Sequence, residues 1–596
     1  FAPAAEPFHR VITPFQRDWQ NQLGTRNAQS FDQNSRLYFT GEVFDLFYPS
    51  YGDTWPTYNG AIGMTYEQGG SGRAGIAIET SEGDTLTLAY RIAGHVATSL
   101  NTVALASDTR AELVREMEAY YARAGRGENA PYVGYVVSAQ EGTESLRELT
   151  RLLDANGITY QAAAQSATAT GYAYRRGQTE TFTVSPGDLV IRAAQPNGTL
   201  AQVLMEPEAG IPDSLTYDIT AWSLPYAHDL DAWAVTASLP VRTGPWYEAE
   251  ADAPDAGAVA YALPLESMDG LRALADAFEA GLSARLSTSA FRAGGSEFDR
   301  GTVVFTRKGN DRRDGDAFGD AVARIAQAYS VEPVALRSTR VDQGQDFGSS
   351  GVAFVKAPRV AVAAGDFASS LGLGEVWHFF EQQIGYPVTL ANPADLMRAG
   401  ALYDYDVLVL PPGSYGDVFT DERLSDLRDW IRAGGRLVAL EGAARSLAGR
   451  EGFGLALKEA DESEDDSTTA APRRYADRER DSVSESTPGA IHRVTLDPTH
   501  PLAFGYGEET FALVRSSRAY APLKDGWNVG VIASGVPASG FAGVDAQSEL
   551  GGALLYGVED MGRGAVVYLI DNPLFRGFWE GGKRLFANAV FFVGTD

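Results

Sequence analysis

Apolar positions in the first 125 residues recur with a helical period. In LTLAYRIAGHVATSLNTVALA, the residues Ile92, Val96, Leu100 and Val103 follow one another at spacings of four, four and three, which places them on one face of a helix. The next stretch, DTRAELVREMEAYYARAG, continues this pattern. The sequence therefore predicts a long helical tract here, preceded by loops rich in aromatic residues.

The middle of the chain, residues 126–354, mixes two periods. YVGYVVSA predicts a buried strand, EGTESLRELTRLLDANG a helix that ends at Asn-Gly, and ITYQAA a second strand, so these residues predict one strand–helix–strand unit. In ETFTVSPGDLVIRA, two alternating runs flank a Pro-Gly pair. That pattern predicts an antiparallel hairpin.

From residue 355 onward, apolar strands and amphipathic helices alternate regularly. RVAVAAG, PVTLA, YDVLVLPPG and RLVALEG are separated by helical stretches such as DERLSDLRDWIRAGG. This order predicts a doubly wound, mostly parallel sheet with right-handed crossovers. Residues 458–489 interrupt it with a charged run almost without aliphatic residues, which predicts a disordered surface insertion.

These patterns predict an α/β protein of several domains, because 596 residues exceed what one core holds. We place the boundaries at residues 1–125, 126–354 and 355–596. No apolar run in the sequence is long enough to span a lipid bilayer.

Composition narrows the classes of partner. Acidic residues outnumber basic ones by 78 to 49, for a formal net charge of -29. A charge of this sign disfavours nucleic acid and anionic membranes as partners. The chain has no cysteine, which excludes disulfides, thiolate metal sites and cysteine nucleophiles within it.

Two short motifs with possible chemistry carry little weight. His378 and Glu381 have the H-x-x-E spacing of some zinc sites, but a third ligand does not accompany them. Gly372 and Gly374 match the start of a dinucleotide fingerprint, yet Trp377 replaces its third glycine. We therefore assign no metal ligand to this chain.

The stretch GAIGMTYEQGG, residues 60–70, is the strongest candidate for chemistry. It predicts a strand that ends at a single carboxylate, Glu67, with Gly69 and Gly70 leaving space beyond it. The preceding EVFDLFYPSYGDTWPTYNG contains Tyr48 and Tyr51 and has the composition of a loop that lines a substrate site. The local sequence alone also fits a carboxylate in a salt bridge.

At this point the sequence resembles a known family. FYPSYGDTWPTYNGAIGMTYEQ resembles the segment of M14 zinc carboxypeptidases that carries the catalytic glutamate, and in particular that of large bacterial members with a C-terminal class I glutamine-amidotransferase-like domain. YDVLVLPPGSYGD together with LRDWIRAGGRLVALEG resembles that second domain. The first resemblance covers residues 1 to about 120, and the opening FAPAAEPF resembles the stretch after the last zinc-binding histidine.

The resemblance implies a zinc-dependent metallocarboxypeptidase that hydrolyses peptide bonds at or near a C-terminus of a peptide or protein substrate. Glu67 would be its general base, and Tyr48, or next Tyr51, would cap the substrate. The zinc ligands are expected before residue 1, so the chain alone is expected to bind no catalytic zinc and to be inactive. The resemblance further implies a secreted or periplasmic location.

Two alternatives stay open. One is a non-catalytic peptide- or glycan-binding protein built on a decayed peptidase fold, in which the second domain, without a cysteine, has no glutaminase activity. The other is a regulatory role of residues 355–596, as a ligand-sensing domain that changes the activity of the peptidase.

Overall fold

The computed structural model describes residues 1–68, 75–140, 146–211, 216–247, 254–255, 257–310, 317–396, 400–459 and 474–594. Helices and sheets are mixed throughout, so the protein belongs to the general α/β class, as the sequence predicts. Within these residues, no helix is both long enough and apolar enough to cross a bilayer.

The N-terminal region is built on two long helices. A capping box starts α1, in which the Thr13 side chain accepts from the Gln16 backbone and the Gln16 side chain binds back to Thr13. Helix α1 buries Trp19 and Leu23, and α3 packs against it. The elements are β1 (Ala5–Phe8), α1 (Pro14–Gln33), β2 (Asp45–Leu46), α2 (Thr54–Tyr58), β3 (Ala77–Glu79), β4 (Thr85–Thr87), α3 (Leu88–Asp108) and α4 (Arg110–Gly125).

The predicted helical face of α3 forms, but it faces solvent. Ile92, Val96, Leu100 and Val103 are 53%, 50%, 64% and 68% exposed, and we call these four residues the apolar face of α3. The opposite side of the helix, with Gly94, Thr98 and Leu105, is the buried side. Single exposed apolar residues are ordinary, whereas a continuous row of this kind marks a contact surface.

The first part of the middle region is an antiparallel seven-stranded sheet with the order β11-β6-β9-β5-β10-β7-β8. The predicted strand–helix–strand unit is β5-α5-β6, and β9 lies between its two strands and pairs antiparallel with both. The elements are β5 (Gly134–Val137), α5 (Arg147–Ala155), β6 (Gln161–Ala163), β7 (Ala167–Ala173), β8 (Gln178–Val184), β9 (Leu189–Arg192), α6 (Gly198–Met205), α7 (Leu224–Ala227), β10 (Ala232–Val235) and β11 (Thr243–Gly244).

The hairpin predicted for ETFTVSPGDLVIRA is wrong. Strand β8 pairs with β7 at the edge of the sheet, whereas β9 pairs with β5 and β6 on the other side. The continuous apolar run Leu189–Ile191 is almost completely buried, which requires a central position, while β8 alternates between buried and exposed residues. The Pro-Gly pair therefore lies in the connection between two strands that are not neighbours in the sheet.

The second part of the middle region is a five-stranded antiparallel sheet with the order β17-β12-β16-β13-β18. Helix α8 packs against α10, and both contribute to the largest apolar core. The elements are β12 (Ala260–Leu263), α8 (Met268–Glu279), β13 (Ala284–Ser287), β14 (Phe291–Ala293), β15 (Ser296–Phe298), β16 (Val303–Thr306), α9 (Arg307–Asn310), α10 (Ala317–Tyr329), β17 (Val334–Leu336) and β18 (Val352–Val355).

The C-terminal region is a nine-stranded sheet with the order β20-β19-β21-β22-β27-β26-β25-β23-β24. Its first five strands are parallel, as predicted, and its last four continue antiparallel. The elements are β19 (Val360–Ala363), α11 (Ser370–His378), β20 (Val388–Ala391), α12 (Pro393–Leu396), β21 (Val407–Leu410), α13 (Asp421–Arg432), β22 (Arg436–Leu440), α14 (Gly442–Leu447), α15 (Arg478–Val483), β23 (Ala490–Leu496), β24 (Glu509–Val514), β25 (Trp527–Ile532), α16 (Val544–Leu550), β26 (Leu554–Met561), β27 (Gly564–Leu569) and α17 (Glu580–Phe591), with a π-helix at Phe379–Ile384 and 3-10 turns at Ala401–Asp404, Tyr475–Asp477, Pro501–Ala503 and Phe575–Gly577.

Part of the predicted disordered insertion is ordered. Residues 460–473 lie outside the described residues, but the stretch after them forms a 3-10 turn and α15. The end of this stretch is hydrogen-bonded to α16 of the C-terminal region. The Ser484 carbonyl accepts from the Asp545 backbone nitrogen at 2.9 Å. This long-range contact cannot be predicted from the charged composition of the insertion.

Candidate functional site

The segment that carries Glu67 is not the predicted strand. Residues 61–68 have neither strand nor helix geometry, and side-chain amides of α1 bond the backbone of two of them. Gln16 Nε2 donates to the Ala61 carbonyl at 2.6 Å, and Gln20 Nε2 donates to the Gly63 carbonyl at 2.8 Å. Both glutamines are buried, so these bonds hold the segment firmly.

A second set of contacts comes from the turn before the segment. Thr57 Oγ1 accepts from the Gly63 nitrogen at 2.9 Å, and Thr65 Oγ1 donates to Asp53 Oδ2 at 2.6 Å. Gly63 packs directly on this turn, since a Cβ there would lie 1.8 Å from the Asp53 carbonyl oxygen. Only glycine fits at that position, which explains one glycine of the motif.

Glu67 extends from this fixed segment into solvent beside a small cavity. The side chain is exposed and lines a cavity of about 40 Å³ together with Met64, Thr65 and Asp53. Gly69 and Gly70, predicted to leave space beyond Glu67, lie outside the described residues.

The charges near Glu67 do not form a salt bridge with it. Among the residues that the structure describes, no ion pair joins the Glu67 carboxylate to a guanidinium or ammonium group. Phe1 lines the same cavity. The salt-bridge alternative raised by the local sequence is therefore not what the described residues show.

Tyr48 and Tyr51 occupy a different environment from Glu67. Tyr48 is 4% exposed, and the guanidinium of Arg576 lies 4.7 Å from its ring centroid. The Tyr51 hydroxyl donates to Asp218, which also accepts from Arg576 Nη2 at 2.7 Å. The two rings meet edge to face at 5.4 Å. These tyrosines thus join the N-terminal region to the other two regions.

The pKa values of the two tyrosines reflect this packing. Burial raises the pKa of Tyr48, and Arg576 partly opposes that shift. Burial followed by the nearby Asp218 carboxylate raises the pKa of Tyr51. Both hydroxyls therefore stay protonated at neutral pH and can donate hydrogen bonds.

In the described residues, the turn between the two parts of the predicted site links them. Tyr48 and Tyr51 begin the turn that contains Asp53, and Asp53 both lines the Glu67 cavity and accepts from Thr65. Neither tyrosine is among the residues that line that cavity. The substrate-binding roles predicted for Tyr48 and Tyr51 stay predictions.

The described residues do not bring potential metal ligands together. In the described ranges, no three histidine, aspartate or glutamate side chains are grouped so that they could hold a metal ion. His378 and Glu381 lie at the end of α11 and in the π-helix that follows, and both are exposed. The donor set present therefore does not fit a catalytic zinc.

Sequence analysis missed Asp218 and Arg576, which hold the two tyrosines. Asp218 lies 167 residues from Tyr51, and Arg576 lies 358 residues from Asp218. In the sequence, only the following glycine, Gly577, distinguishes Arg576. The residue has a left-handed backbone with φ 50°, followed directly by Gly577, and an arginine in that conformation is uncommon.

Comparisons with known proteins give little. No family model and no curated protein matches the chain. Solved structures that match in part include a ThuA-like protein of Bacteroides uniformis ATCC 8492 (13% identity over 39% of this chain and 89% of that one, TM-score 0.25) and a ThuA-like protein of Parabacteroides merdae ATCC 43184 (12%, 38% and 86%, TM-score 0.26). A β-galactosidase from Bacillus circulans sp. alkalophilus also matches (12% identity, 46% of this chain and 34% of that one, TM-score 0.23). At these TM-scores the likenesses carry no argument about function.

Proposed function

We propose that this chain is part of an M14-type zinc metallocarboxypeptidase that hydrolyses peptide bonds at or near a C-terminus, with Glu67 as its general base. One observation carries the proposal. The segment that resembles the family's catalytic segment is held by buried amides, and it presents an exposed carboxylate beside a cavity. A general base needs this combination of a fixed backbone and an accessible carboxylate.

The chemistry assigned to this chain is one proton transfer. The Glu67 carboxylate takes a proton from a water molecule as the water oxygen bonds to the scissile carbonyl carbon. The same proton then passes to the leaving nitrogen as the carbon–nitrogen bond breaks. Because no guanidinium or ammonium group of the described residues forms an ion pair with Glu67, its carboxylate is available as a proton acceptor.

Zinc is the cofactor of the proposed enzyme, and the described residues do not fit it. They contain no group of three metal-ligating side chains. The proposal therefore assigns the zinc ligands to sequence outside these 596 residues and assigns no hydrolysis to this chain alone. The role of this chain's own residues is limited to the proton transfer and to contacts with the substrate.

The apolar face of α3 supports a larger domain. Its four residues are each at least 50% exposed, and Val114 and Met117 on α4 are 59% and 53% exposed. Exposed rows of apolar residues mark surfaces that another part of a protein covers. We propose that the part of the peptidase domain with the zinc ligands packs on this face.

Tyr48 and Tyr51 remain the proposed substrate contacts. For either hydroxyl to reach a peptide, the contacts with Arg576 and Asp218 must open, because both tyrosines are engaged there. The proposed substrate is a peptide or protein. The proposed location is secreted or periplasmic, and residues 355–596 are proposed to be amidotransferase-like without glutaminase activity, since the chain has no cysteine.

The experiment that tests this function uses the natural full-length gene product loaded with zinc. Matched peptides with a free or an amidated C-terminus are incubated with it, and released amino acids are measured. We expect zinc-dependent release from the free C-terminus. No hydrolysis of either peptide at any zinc concentration would overturn the proposal.

The second candidate is a non-catalytic peptide- or glycan-binding protein. The observation that favours it is the lack of a three-ligand metal group in the described residues, together with the engagement of Tyr48 and Tyr51. The same preparation distinguishes the two functions. A binding protein retains a labelled peptide or glycan without forming any product.

A further inference from the structure

A cavity of about 420 Å³ lies in the C-terminal region, at the carboxyl ends of its parallel strands. Gly413 and Ser414 follow β21, Glu441 follows β22 and Asp571 follows β27, and all four residues line it. In open α/β sheets, ligands bind at this edge. The volume falls within the range of small-molecule sites, about 300–1,000 Å³.

Glu441 has an unusual backbone at the base of this cavity. Its φ is 44° and its ψ is -111°, between β22 and α14, and its nitrogen donates to the Leu569 carbonyl at 2.8 Å. The next residue, Gly442, touches the opposite loop, because a Cβ there would lie 2.1 Å from the Gly413 carbonyl oxygen. A non-glycine residue in this conformation is held by its surroundings, and such positions cluster at functional sites.

The floor of the cavity is a network of two carboxyl groups and one guanidinium. Arg515 forms an ion pair with Glu441, and its backbone nitrogen donates to Asp571 Oδ1 at 3.3 Å. The Arg515 guanidinium also lies 4.2 Å from the ring centroid of Phe575. Arg515 is therefore already engaged and holds the floor in shape.

Asp571 is a buried carboxyl group with an altered pKa. Burial and then the neighbouring Glu441 raise its pKa to about 7, and Arg515 opposes the shift. Near neutral pH, this carboxyl group is therefore protonated in a large share of molecules. In that form it can donate a hydrogen bond to an anionic ligand.

Two further arginines line the same cavity without an anionic partner. Arg445 and Arg518 are exposed, and in the described parts of the chain neither guanidinium takes part in an ion pair. Both lie close to the buried Tyr520, whose pKa is raised by burial and lowered in part by each of them. Two unpaired cations in one cavity are notable in a protein with a net charge of -29.

The rest of the lining mixes polar and apolar residues. Serine residues contribute to it, among them Ser369 and Ser516. The aliphatic residues beside the cavity are each at most 1% exposed, so they form the packed layer behind it. They are Val514, Ile532, Leu550, Ala553, Leu554 and Leu555.

We propose that this cavity binds a small organic monocarboxylate, with the carboxylate between Arg445 and Arg518. A guanidinium binds a carboxylate through two parallel hydrogen bonds, which a neutral ligand cannot provide. A phosphate dianion is disfavoured, because its second charge would lie near the Glu441 carboxylate, which lines the same cavity. The site is independent of the peptidase function proposed above.

The test is isothermal titration calorimetry on the full chain with three probes: 4-methylpentanoate, its neutral amide and inorganic phosphate. We expect heat of binding from 4-methylpentanoate and none from the other two. In Arg445→Gln/Arg518→Gln, we expect binding at least about tenfold weaker, the size of effect that loss of a charged hydrogen bond produces. The matched control is Arg337→Gln, whose side chain is 88% exposed in another region and which should bind as the wild type does.

Both arginines are exposed, so we expect the double variant to stay folded. Circular dichroism of each variant checks that any loss of binding does not come from unfolding. Three results would overturn the proposal. They are no binding of 4-methylpentanoate to the wild type, equal binding of the acid and its amide, or unchanged affinity in the double variant. Binding of phosphate in place of the monocarboxylate would also contradict it.

Discussion

The guanidinium of Arg576, in the C-terminal region, lies 4.7 Å from the ring centroid of Tyr48 in the N-terminal region. Asp218 of the middle region accepts from the same guanidinium at 2.7 Å, so three regions of the chain meet at one arginine. Burial lowers the pKa of Arg576, but its contacts with Tyr48 and Asp218 outweigh burial and raise that pKa overall. The turn before Glu67 is thereby held by a residue more than 500 positions away in the sequence.

Replacing Arg576 tests this contact. Arg576→Ala removes a hydrogen bond and a cation–π contact, and because the site is partly exposed we expect the free energy of unfolding to fall by only about 1–2 kcal/mol. We also expect faster amide hydrogen exchange in residues 46–58. The control is Arg563→Ala, which loses a bond to the Ala433 carbonyl within the C-terminal region. Equal exchange in residues 46–58 for both variants would show that Arg576 does not hold the turn.

Gly63→Ala tests how the Glu67 segment is fixed. The added Cβ would lie 1.8 Å from the Asp53 carbonyl oxygen, so the turn and the segment must move apart. We expect the free energy of unfolding to fall by about 1–3 kcal/mol, the usual effect of overpacking. Gly52→Ala is the matched control, because a Cβ there meets nothing within 4 Å. Equal stability of the two variants in denaturant titrations would contradict the packing described.

Asp571 gives a prediction about pH. Its pKa is raised from 3.8 to about 7, chiefly by burial, so between these values the folded protein holds a proton that the unfolded chain has released. The stability that this proton provides is fully present below the unfolded pKa and is lost as the pH rises through the folded pKa. An asparagine side chain at this position is neutral at every pH. We therefore expect Asp571→Asn to gain stability relative to the wild type as the pH rises from about 5 to about 8.

The measurement for Asp571 is a denaturant titration of wild type and variant at several pH values. Groups that titrate in both proteins cancel in the difference between their free energies of unfolding. A difference that stays constant across this range would show that Asp571 has an ordinary pKa in the folded protein.

Substitutions on the apolar face of α3 test whether it is a contact surface. Ile92→Lys/Leu100→Lys should leave the stability of the 596-residue chain nearly unchanged, because both side chains already lie in solvent. We expect the variant to bind less of a hydrophobic fluorescent dye and to self-associate less. In the natural full-length protein, the same variant should lower the midpoint of thermal unfolding.

The matched control for this face is Leu371→Lys/Val536→Lys, at two apolar residues of the C-terminal region that are 80% and 63% exposed. We expect no change in the thermal midpoint of the full-length protein with this control. Equal midpoints for both double variants would contradict the idea that another part of the peptidase domain covers α3.

The parallel strands of the C-terminal region could be predicted because their signal is local. Val407–Leu410 and Gly564–Leu569 are continuous apolar runs, and in the structure both are completely buried. The helical period of α3 was equally clear. Its exposure could not be predicted, because a period identifies a face of a helix and says nothing about what covers it.

Errors arose where the partner of a segment is distant. The run before Glu67 has the composition of a strand, but buried glutamines of α1 take the place of a strand partner. Strands β8 and β9 flank a Pro-Gly pair, yet each joins a different part of the sheet. Turn residues and alternation are local signals, and they do not determine which strands pair.

The candidate site was predictable only in part, for the same reason. Glu67 and the two tyrosines stand within twenty positions of each other, and the local sequence singles them out. Asp218 and Arg576, which engage the tyrosines, come from the other two regions. A single sequence offers no signal that joins such distant positions.

The measurement that tests the central claim most directly is the turnover of a peptide with a free C-terminus by Glu67→Gln in the natural full-length, zinc-loaded protein. Glu79→Gln, at an exposed glutamate of β3, is the matched control. Loss of a general base should lower kcat by about 10²–10⁴-fold, with KM and bound zinc unchanged, and the control should keep the wild-type kcat. A wild-type kcat in Glu67→Gln would contradict the role of Glu67.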